Sequence, residues 1–388
     1  MKNKIQAMLR VRGKSGVTAI LVAVMLVMLL GFAALAIDIG YGMVTKNELQ
    51  NVADAAALAG ASQLGAIYED MTYQDQQNFN PTTASCSSYA PCTGSTNCAD
   101  CIISVAQNVA NQNKAGGVSI SIAGGEAIIG QWDSSPSVTG DPFTTPTPLL
   151  HPDAVRVIAR RDTTFNLPIT TFFAKIFGIS NMNVSARATA ALTGESTAGS
   201  GGLPPIGISE RWFETPTFCG NPIRMYPTCS KEPCDPVEQG CGGWHTFLDK
   251  PNADTLRDII NGIKAGTYVS PEVIAGKTQV DFIGGTITNA IAAFKELFDV
   301  MKIKNDGVLD GDNNSDTWTT RVVVYDSSDC SNPNEKMTVV GFTTIVITNV
   351  EVTPEKLVDG MVLCNIVEPG RGGGTETGTM GSIPGLVQ

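Results

Sequence analysis

The stretch that decides the architecture is VTAILVAVMLVMLLGFAALAI, which runs from Val17 to Ile37. Its 21 residues include no charged side chain. At a rise of 1.5 Å per residue, a helix of this length measures about 31 Å, close to the roughly 30 Å hydrocarbon core of a bilayer. The sequence therefore predicts a single membrane-spanning helix over residues 17–37.

The charges that precede this span predict its orientation. The first fourteen residues hold five basic side chains and no acidic one. Because loops that stay in the cytoplasm carry an excess of Lys and Arg, residues 1–16 are predicted to be a cytoplasmic basic segment. By the same rule, the bulk of the chain lies on the other side of the membrane.

Two forms of processing remain alternatives to a retained span. Ala34, Leu35 and Ala36 match the A-x-A pattern of a signal-peptide cleavage site, although the apolar region of a signal peptide is typically about 7–15 residues long. Cleavage after Gly16, as in prepilins, is the second alternative. Prepilins usually carry a glutamate at the fifth position after the cut, where this chain has Leu21. The length of the span favours retention.

Composition excludes several function classes for this chain of 388 residues. Charged residues amount to 16%, below the roughly 25% of ordinary soluble proteins. After the first fourteen residues there are 21 basic and 37 acidic side chains, and such an acidic body lacks the basic surface that nucleic-acid phosphates require. The chain has only two histidines, which disfavours most His-based enzymes. We therefore expect no enzyme, no nucleic-acid partner and no small-molecule substrate.

Helical character continues beyond the span. Alanine, the best helix former, is dense between Ala53 and Ala61, and apolar residues recur at helical spacing. This pattern predicts an external extension of the same helix over residues 38–66, with Asp38 at the membrane exit. We expect Asp38 and one face of this helix to contact a partner helix or sheet, and the alternative is a plain stalk with a charged boundary residue. The face consists of Leu49, Val52, Ala56 and Ala59.

Two strings in this helix carry a family resemblance. They are LAIDIG at residues 35–40 and LQNVADAAALA at residues 49–59. Residues 16–61, about 46 of the 388, resemble the N-terminal Tad domain of TadE/TadG-like Flp pilus-assembly proteins. The resemblance implies a role in assembling tight-adherence pili at the bacterial inner membrane. It also implies pilus-assembly or pilin-like subunits as partners of the helix, a periplasmic body, and no catalytic residues.

Residues 67–193 are predicted to form a periplasmic α+β domain. Alternating apolar and polar residues around Gly124 and Gly125 predict a β-hairpin, and the same criteria predict further elements. Four strands and two helices at the end of a long N-terminal helix would make a pilin-like mixed α/β region, by analogy alone. The predicted elements are a helix at 102–113, strands at 118–122 and 127–132, a strand at 155–161, a helix at 169–177 and a strand at 183–192.

Composition predicts three further segments. Residues 194–203, which begin GESTAGSGG, are typical of a flexible linker. Residues 204–368 are expected to be a second α+β domain, braced by disulfides. Residues 369–388 are Gly-rich and are expected to be a disordered tail. Within the second domain, periodicity predicts an amphipathic helix at 285–302 and strands at 321–325, 337–352 and 361–367.

The ten cysteines fall into two even groups on either side of the predicted linker. The four cysteines of the first group could hold zinc as thiolates. The CxxC motif at Cys98 and Cys101 could act in redox chemistry, although the βαβ context of a thioredoxin-like site is absent. An oxidising compartment favours disulfides, and the sequence leaves their pairing open. The first group is Cys86, Cys92, Cys98 and Cys101; the second is Cys219, Cys229, Cys234, Cys241, Cys330 and Cys364.

One acidic run has the spacing of a calcium loop. Its oxygen ligands at alternate positions suit a hard cation, but the sixth position is Ser315 instead of glycine and the twelfth is Arg321 instead of glutamate. A polar turn between a helix and a strand explains the same residues. The candidate ligands are Asp310, Asp312, Asn314 and Asp316, and no other cofactor is expected.

The sequence as a whole predicts an α+β protein with a long N-terminal helix, first transmembrane and then external. The predicted function is that of a non-enzymatic, membrane-anchored scaffold or component for Flp pilus assembly or secretion. A surface-exposed adhesin or binding module, stabilised by calcium, is the alternative. A periplasmic hydrolase that uses His151 or His245 as its base is a third, disfavoured class, because no nucleophile elbow lies near either residue.

Overall fold

A computed structural model describes residues 2–87, 92–134, 139–214, 218–225, 242–284, 288–304, 316–327, 333–354 and 356–388, with side chains from residue 17 onward except Thr288. The fold is mixed α+β, as the sequence predicts. The helices are α1 (Lys2–Glu69), α2 (Tyr73–Asn78), α3 (Cys98–Gln112), α4 (Ala253–Ala265) and α5 (Thr288–Lys304). Two short 3-10 helices lie at Ala174–Phe177 and Glu210–Glu214.

The strands before residue 200 are β1 (Lys114–Ala115), β2 (Val118–Ser119), β3 (Ala127–Trp132), β4 (Phe143–Thr144), β5 (Ala154–Arg161), β6 (Ile169–Thr170), β7 (Asn181–Met182), β8 (Val184–Ala191) and β9 (Thr197–Ala198). The later strands are β10 (Ile206–Ser209), β11 (Pro222–Met225), β12 (Gly242–His245), β13 (Val273–Ile274), β14 (Gln279–Ile283), β15 (Trp318–Tyr325), β16 (Lys336–Glu351), β17 (Leu357–Leu363), β18 (Ile366–Arg371), β19 (Thr379–Ile383) and β20 (Gly385–Leu386).

Helix α1 is one continuous element of 68 residues, so the predicted helix over the span and its extension is confirmed. Its most apolar window has a mean hydropathy of 3.0 and no buried residue. Further along, α1 buries one side, including Leu49, Ala53 and Leu64. Over residues 17–37, α1 is apolar and largely exposed, which suits an apolar medium. Further along it is buried on one side, which suits packing against a protein core.

The chain divides into two compact units that do not follow the chain order. The first unit comprises Met1–Ala56, Gln107–Ala127 and Val157–Ala188. The second comprises Ala57–Ala106, Ile128–Arg156 and Thr189–Gln388. The division predicted from composition, at residues 67–193 and 204–368, stays a prediction.

The largest sheet belongs to the second unit and has the strand order β11-β17-β16-β14-β12-β10-β15. Because β15 pairs with β16 as well as with β10, five of these strands form a closed ring. Its pairings are antiparallel except for the parallel pair β10–β15. Trp244 packs edge-on against Phe294 of α5 at 5.1 Å between ring centroids, in the larger core cluster of this unit.

Three smaller sheets have the orders β20-β8-β5-β3-β4, β13-β9-β18-β19 and β1-β2, and β6 pairs with β7. The predicted strands at 127–132, 155–161 and 183–192 correspond to β3, β5 and β8, and the helices at 102–113 and 285–302 to α3 and α5. Strands β15 and β16 confirm those predicted at 321–325 and 337–352. The strand predicted at 361–367 is divided between β17 and β18, because Asn365 has a φ of 57°.

The predicted hairpin around Gly124 and Gly125 is wrong in its pairing. Strand β2 pairs with β1, through Lys114 opposite Ser119 and Ala115 opposite Val118. The turn between them consists of Gly116 and Gly117, whose φ angles are 57° and 77°. A two-residue hairpin turn with positive φ at both positions matches the twist of the strands, and glycine adopts it without steric cost.

The amphipathic helix predicted at 169–177 is also wrong. Residues Ile169 and Thr170 form β6, which pairs with β7, and only Ala174–Phe177 are helical, as a short 3-10 turn. Gly178 ends this turn in the left-handed conformation with a φ of 83°. The apolar residues here follow a helical spacing, but a tertiary contact of their backbone N–H groups, described below, overrides the local preference.

The linker predicted at 194–203 and the disordered tail predicted at 369–388 are ordered. Strand β9 pairs with β13 and with β18, and the tail contributes to β18, β19 and β20. Glu195 is buried in this region and pairs with Arg321 at 2.6 Å. Composition underestimates order here because backbone hydrogen bonds and one buried ion pair hold a segment that has few large side chains.

Candidate functional site

The side chain of Asp38 lies one residue beyond the predicted span and is only 5% exposed. Its carboxylate accepts three backbone hydrogen bonds from one loop. The N–H of Phe172 donates to Oδ1 at 2.7 Å, and those of Phe173 and Ala174 donate to Oδ2 at 2.9 and 2.6 Å. Hydrogen bonds to an ionised acceptor are about twice as strong as neutral ones, so Asp38 fastens this loop to α1.

The loop is shaped by the β6–β7 hairpin. Ile169 lies opposite Met182 in this pairing, and the N–H of Thr171 donates to the carbonyl of Ser180 at 3.1 Å. Beyond the strands, the N–H of Ile179 donates to the carbonyl of Ala174 at 3.1 Å and closes the 3-10 turn. The N–H groups that precede this turn have no partner within it and therefore point at the carboxylate.

Two neighbours of Asp38 on α1 extend the contact. The ring of Tyr41 packs edge-on against Phe172 at 5.7 Å between centroids. Gly42 lies so close to Met182 that a Cβ at this position would overlap the end of the methionine side chain. We call this contact the Asp38 clamp; it consists of Asp38, Tyr41 and Gly42 on α1 together with residues 169–182.

A second set of contacts lies next to the clamp in the first unit. The hydroxyl of Tyr41 donates to the carbonyl of Gly116 at 3.2 Å, and the N–H of Gly116 donates to Glu48 Oε2 at 2.6 Å. Both the N–H and the carbonyl of Gly116 in the tight β1–β2 turn are therefore hydrogen-bonded to side chains of α1. Two loops distant in sequence are thus fixed to the same few turns of the helix.

Electrostatics keep Asp38 ionised. Burial raises the pKa of the carboxyl group, but the three N–H donors and the charge of Lys175 together outweigh burial and leave the pKa below its ordinary value. A buried carboxylate normally costs stability unless it is paired and hydrogen-bonded, and here the backbone of the loop fulfils both needs. Asp38 is therefore a structural anion of the fold.

Residues 16–63 match the family model Tad, described as Flp pilus-assembly TadE/G-like. We call residues 16–63 the Tad domain, after the family that they resemble. No curated protein and no solved structure matches the chain. The Tad domain contains the apolar span, the part of the Asp38 clamp that lies on α1, and the predicted packing face. Among the residues that the structure describes, one helix, near the N-terminus, is long and apolar enough to cross a membrane. Together with the family match, this helix indicates a membrane-anchored protein.

The predicted packing face of the Tad domain is largely covered by this chain itself. Leu49, Val52 and Ala56 are buried, and Ala59 is half-buried. Close to this face, Gln50 donates to the carbonyl of Arg187 at 3.0 Å. A role of these four residues in binding another protein stays a prediction, because in the structure their partner is the rest of the chain.

Outside the Tad domain, the six cysteines that the structure describes all form disulfides. The pairs are Cys86–Cys98, Cys92–Cys101 and Cys219–Cys364. Sequence reasoning left the pairing open because it depends on which cysteines the fold brings together. Since both sulfurs of the CxxC motif are in disulfides, the motif holds no zinc in this state. The remaining four, Cys229, Cys234, Cys241 and Cys330, lie outside the described residues.

The candidate calcium ligands are mostly outside the described part of the chain. Asp310, Asp312 and Asn314 are not described, and Asp316 lies at an exposed turn before β15. Among the residues that the structure does describe, no group of three or more His, Cys, Asp or Glu side chains could hold a metal ion. Calcium binding stays a prediction.

The two histidines are packed among aromatic rings. His245 is buried, with Phe247 and Phe282 at 4.6 and 5.4 Å between ring centroids, and burial lowers its pKa to about 3. His151 packs against Tyr68 at 5.2 Å, and burial lowers its pKa as well. Such contacts are those of neutral histidines that fill space in a core, so neither environment favours the hydrolase hypothesis.

Sequence reasoning missed an acidic cleft of about 390 Å³ in the second unit. Asp133, Asp153 and Glu376 line it, and the N–H of Trp132 donates to Asp153 Oδ1 at 2.7 Å. Burial raises the pKa of Asp153 to about 7, and the charges of Glu376 and Asp133 act in the same direction. No local motif could have revealed this cleft, because its lining residues come from distant parts of the sequence.

Proposed function

We propose that this protein is a non-enzymatic scaffold for Flp pilus assembly, anchored in the bacterial inner membrane by residues 17–37. The basic segment before the span is cytoplasmic, and the chain from Asp38 onward is periplasmic. The Tad domain supports involvement in Flp pilus assembly. Basic residues before the span favour this orientation, and disulfides are typical of proteins outside the cytoplasm.

One observation carries the proposal: within the Tad domain, α1 changes at Asp38 from an exposed apolar rod into a helix packed in its own protein. A continuous helix transmits position rigidly from the membrane to the folded part. The Asp38 clamp then fixes the first unit at the first turns beyond the span. Such an arrangement holds a folded body at a set place next to the bilayer, which is what an assembly scaffold requires.

Complementation of a deletion strain tests the scaffold role. In one variant, residues 1–37 are replaced by a cleavable secretion signal, so that the body is released in soluble form. We expect this variant to leave cells without pili, and a matched variant with an unrelated span of equal length to restore them. Normal pili with the released body would overturn the scaffold role, and normal pili in the deletion strain with lost attachment would favour the adhesin alternative.

The orientation has its own test. Alkaline phosphatase, which is active only in the oxidising periplasm, is fused after Gln388 of the full-length chain. We expect high activity from this fusion and low activity when the five basic residues before the span are changed to Asn or Gln and lysines are introduced directly after it. Low activity of the unmodified fusion, with the fusion protein present in the membrane fraction, would reverse the proposed orientation.

A further inference from the structure

The loop that Asp38 holds exposes an unusual amount of apolar surface. Within residues 167–179, which we call the exit loop, Leu167 is 70% exposed, Phe172 62%, Ile176 80%, Phe177 72% and Ile179 56%. Scattered apolar side chains are normal on a protein surface, but a concentrated set marks a binding site for protein or membrane. The exit loop is such a set.

The exit loop is held in one conformation by hydrogen bonds, so its apolar side chains are presented outward. Thr171 and Ala174 are buried, while the five large apolar residues are exposed. The Thr171 hydroxyl donates to the carbonyl of Ile179 at 2.5 Å, in addition to the backbone bonds of the hairpin and the bonds to Asp38. Inward small or polar residues and outward large apolar ones are the reverse of what a water-exposed loop normally shows.

The exposed apolar surface of α1 does not end with the predicted span. Ile39, Met43 and Val44 are exposed beyond Asp38, and the first exposed charged side chain after Val17 is Lys46. At 1.5 Å per residue, Asp38 lies about 32 Å beyond Val17, so a hydrocarbon core of roughly 30 Å that begins at Val17 ends next to Asp38. Asp38 therefore lies at the inner edge of a headgroup layer.

We propose that the exit loop is a second membrane contact, which places Phe172, Ile176 and Phe177 in the headgroup layer of the bilayer that α1 crosses. The proposal rests on the membrane anchoring contained in the proposed function. Because the N–H groups of the loop donate hydrogen bonds to Asp38, the loop lies at the same depth as the end of the span. Segments that lie in this layer typically combine large apolar side chains such as Phe and Leu with basic residues. The exit loop contains the exposed Lys175 among its apolar side chains.

This contact also accounts for the buried carboxylate. A charged side chain near the hydrocarbon is costly unless it is paired, and the loop provides Asp38 with three N–H donors on the side where water would otherwise be needed. The clamp therefore shields the charge while it brings the apolar loop to the lipid. A protein partner on the exit loop is the competing occupant, and the experiment below separates the two.

The test is tryptophan quenching by lipid in the full-length protein. The Phe177→Trp variant and the control Asn51→Trp are each reconstituted in phosphatidylcholine vesicles whose acyl chains carry bromine close to the headgroup. Asn51 is exposed on the same helix, 13 residues beyond Asp38 or about 20 Å further from the bilayer. The emission of the wild type, with its four native tryptophans, is subtracted. We expect brominated lipid to remove most of the added emission of Phe177→Trp and to leave that of Asn51→Trp.

Flotation and alkaline extraction of the same vesicles distinguish failure of membrane anchoring from failure of the exit-loop contact. If the protein neither floats with the vesicles nor resists extraction, membrane anchoring itself is wrong. If it is anchored but Phe177→Trp and the second variant Ile176→Trp are both unquenched, the exit-loop contact is wrong and anchoring stands. The added tryptophan could also escape quenching by lipid in vesicles and yet be protected from a water-soluble quencher in native membranes. That result would mean that a protein partner covers the exit loop, and it would overturn the proposal.

Discussion

At the scale of single residues, Asp38 shows how one side chain can join distant parts of the chain. Its partner Phe172 is 134 residues away, and the charge-assisted bonds replace the water that an exposed carboxylate would bind. Asp153 shows the opposite behaviour, because burial and two acidic neighbours raise its pKa instead of lowering it. Burial raises the pKa of both groups, but the two acidic neighbours of Asp153 add to this effect, whereas three N–H donors and the charge of Lys175 outweigh it at Asp38.

Replacement of Asp38 by asparagine is expected to loosen the clamp. The Asp38→Asn side chain loses the charge and one acceptor oxygen while three N–H donors remain, at a cost of about 1–3 kcal/mol for the partner groups left unsatisfied. Amide hydrogen exchange of the full-length protein should accelerate at Phe173 and Ala174, by roughly 5- to 150-fold for this range of free energy. Asp54→Asn, which alters a carboxylate bonded to Gln50 on the same helix, is the control. Equal exchange rates in wild type and Asp38→Asn would contradict the anchoring role of the carboxylate.

Asp153 gives a prediction of pH dependence. Its folded-state pKa of about 7 lies above the ordinary 3.8, so the folded state binds more protons than the unfolded state between these values, and stability falls as pH rises through this window. The Asp153→Asn variant removes this dependence and keeps an acceptor for the Trp132 N–H. We expect its Tm to exceed that of the wild type at pH 8 and the difference to shrink toward pH 4. The exposed Asp70→Asn controls for the substitution itself, and a difference that grows toward acidic pH would refute the sign.

At the scale of elements, α1 is one continuous helix whose two parts lie in different environments. Its glycines reflect this change. Nothing lies within 4 Å of a Cβ built on Gly40, whereas a Cβ on Gly65 would overlap the carbonyl oxygen of Ser382. The same residue type is therefore dispensable at one position and required at the other. The hairpin β6–β7 shows the same influence of environment, since its tip adopts a 3-10 turn at a place where the sequence favours a longer helix.

The glycine pair predicts opposite effects of one substitution. Gly40→Ala should stabilise the helix by about 0.5–1 kcal/mol, because alanine loses less backbone entropy than glycine. Gly65→Ala must displace the backbone next to Ser382 and should destabilise the protein by about 1–3 kcal/mol. Thermal unfolding of both variants in the same detergent measures the two signs. A neutral Gly65→Ala would mean that the approach of the Ser382 backbone is not tight.

At the scale of the whole molecule, the fold combines a membrane-anchored helix with two units that interleave along the chain. The first unit returns to the helix twice, over Gln107–Ala127 and Val157–Ala188. In the second unit, the closed ring of strands carries the larger aromatic core, and one disulfide joins segments 145 residues apart. Low overall charge thus has two sources, an apolar span and a sizeable buried core.

The long-range disulfide predicts a large loss of stability on its removal. A crosslink between distant residues restricts the unfolded chain more than one between near residues, and native disulfides contribute about 2–5 kcal/mol. The double variant Cys219→Ala, Cys364→Ala should therefore lower the denaturant midpoint more than Cys92→Ala, Cys101→Ala, whose cysteines are nine residues apart. An equal loss from both double variants would show that chain entropy is not the main contribution of these bonds.

Features that depend on local pattern follow directly from the sequence. Hydropathy and spacing predict the uncharged run from Val17 to Ile37, the continuous helix α1 and strands such as β5 and β15. The Tad resemblance rests on the residue strings at 35–40 and 49–59. The role of Asp38, the shape of the exit loop, the order of residues 194–203 and the acidic cleft depend on tertiary contacts. In each of these cases the partners are far apart in the chain, as Asp38 is from Phe172 and Glu195 from Arg321. Hydropathy and spacing report on neighbours in sequence, whereas these contacts arise only when folding brings distant backbone and side-chain groups within hydrogen-bond distance.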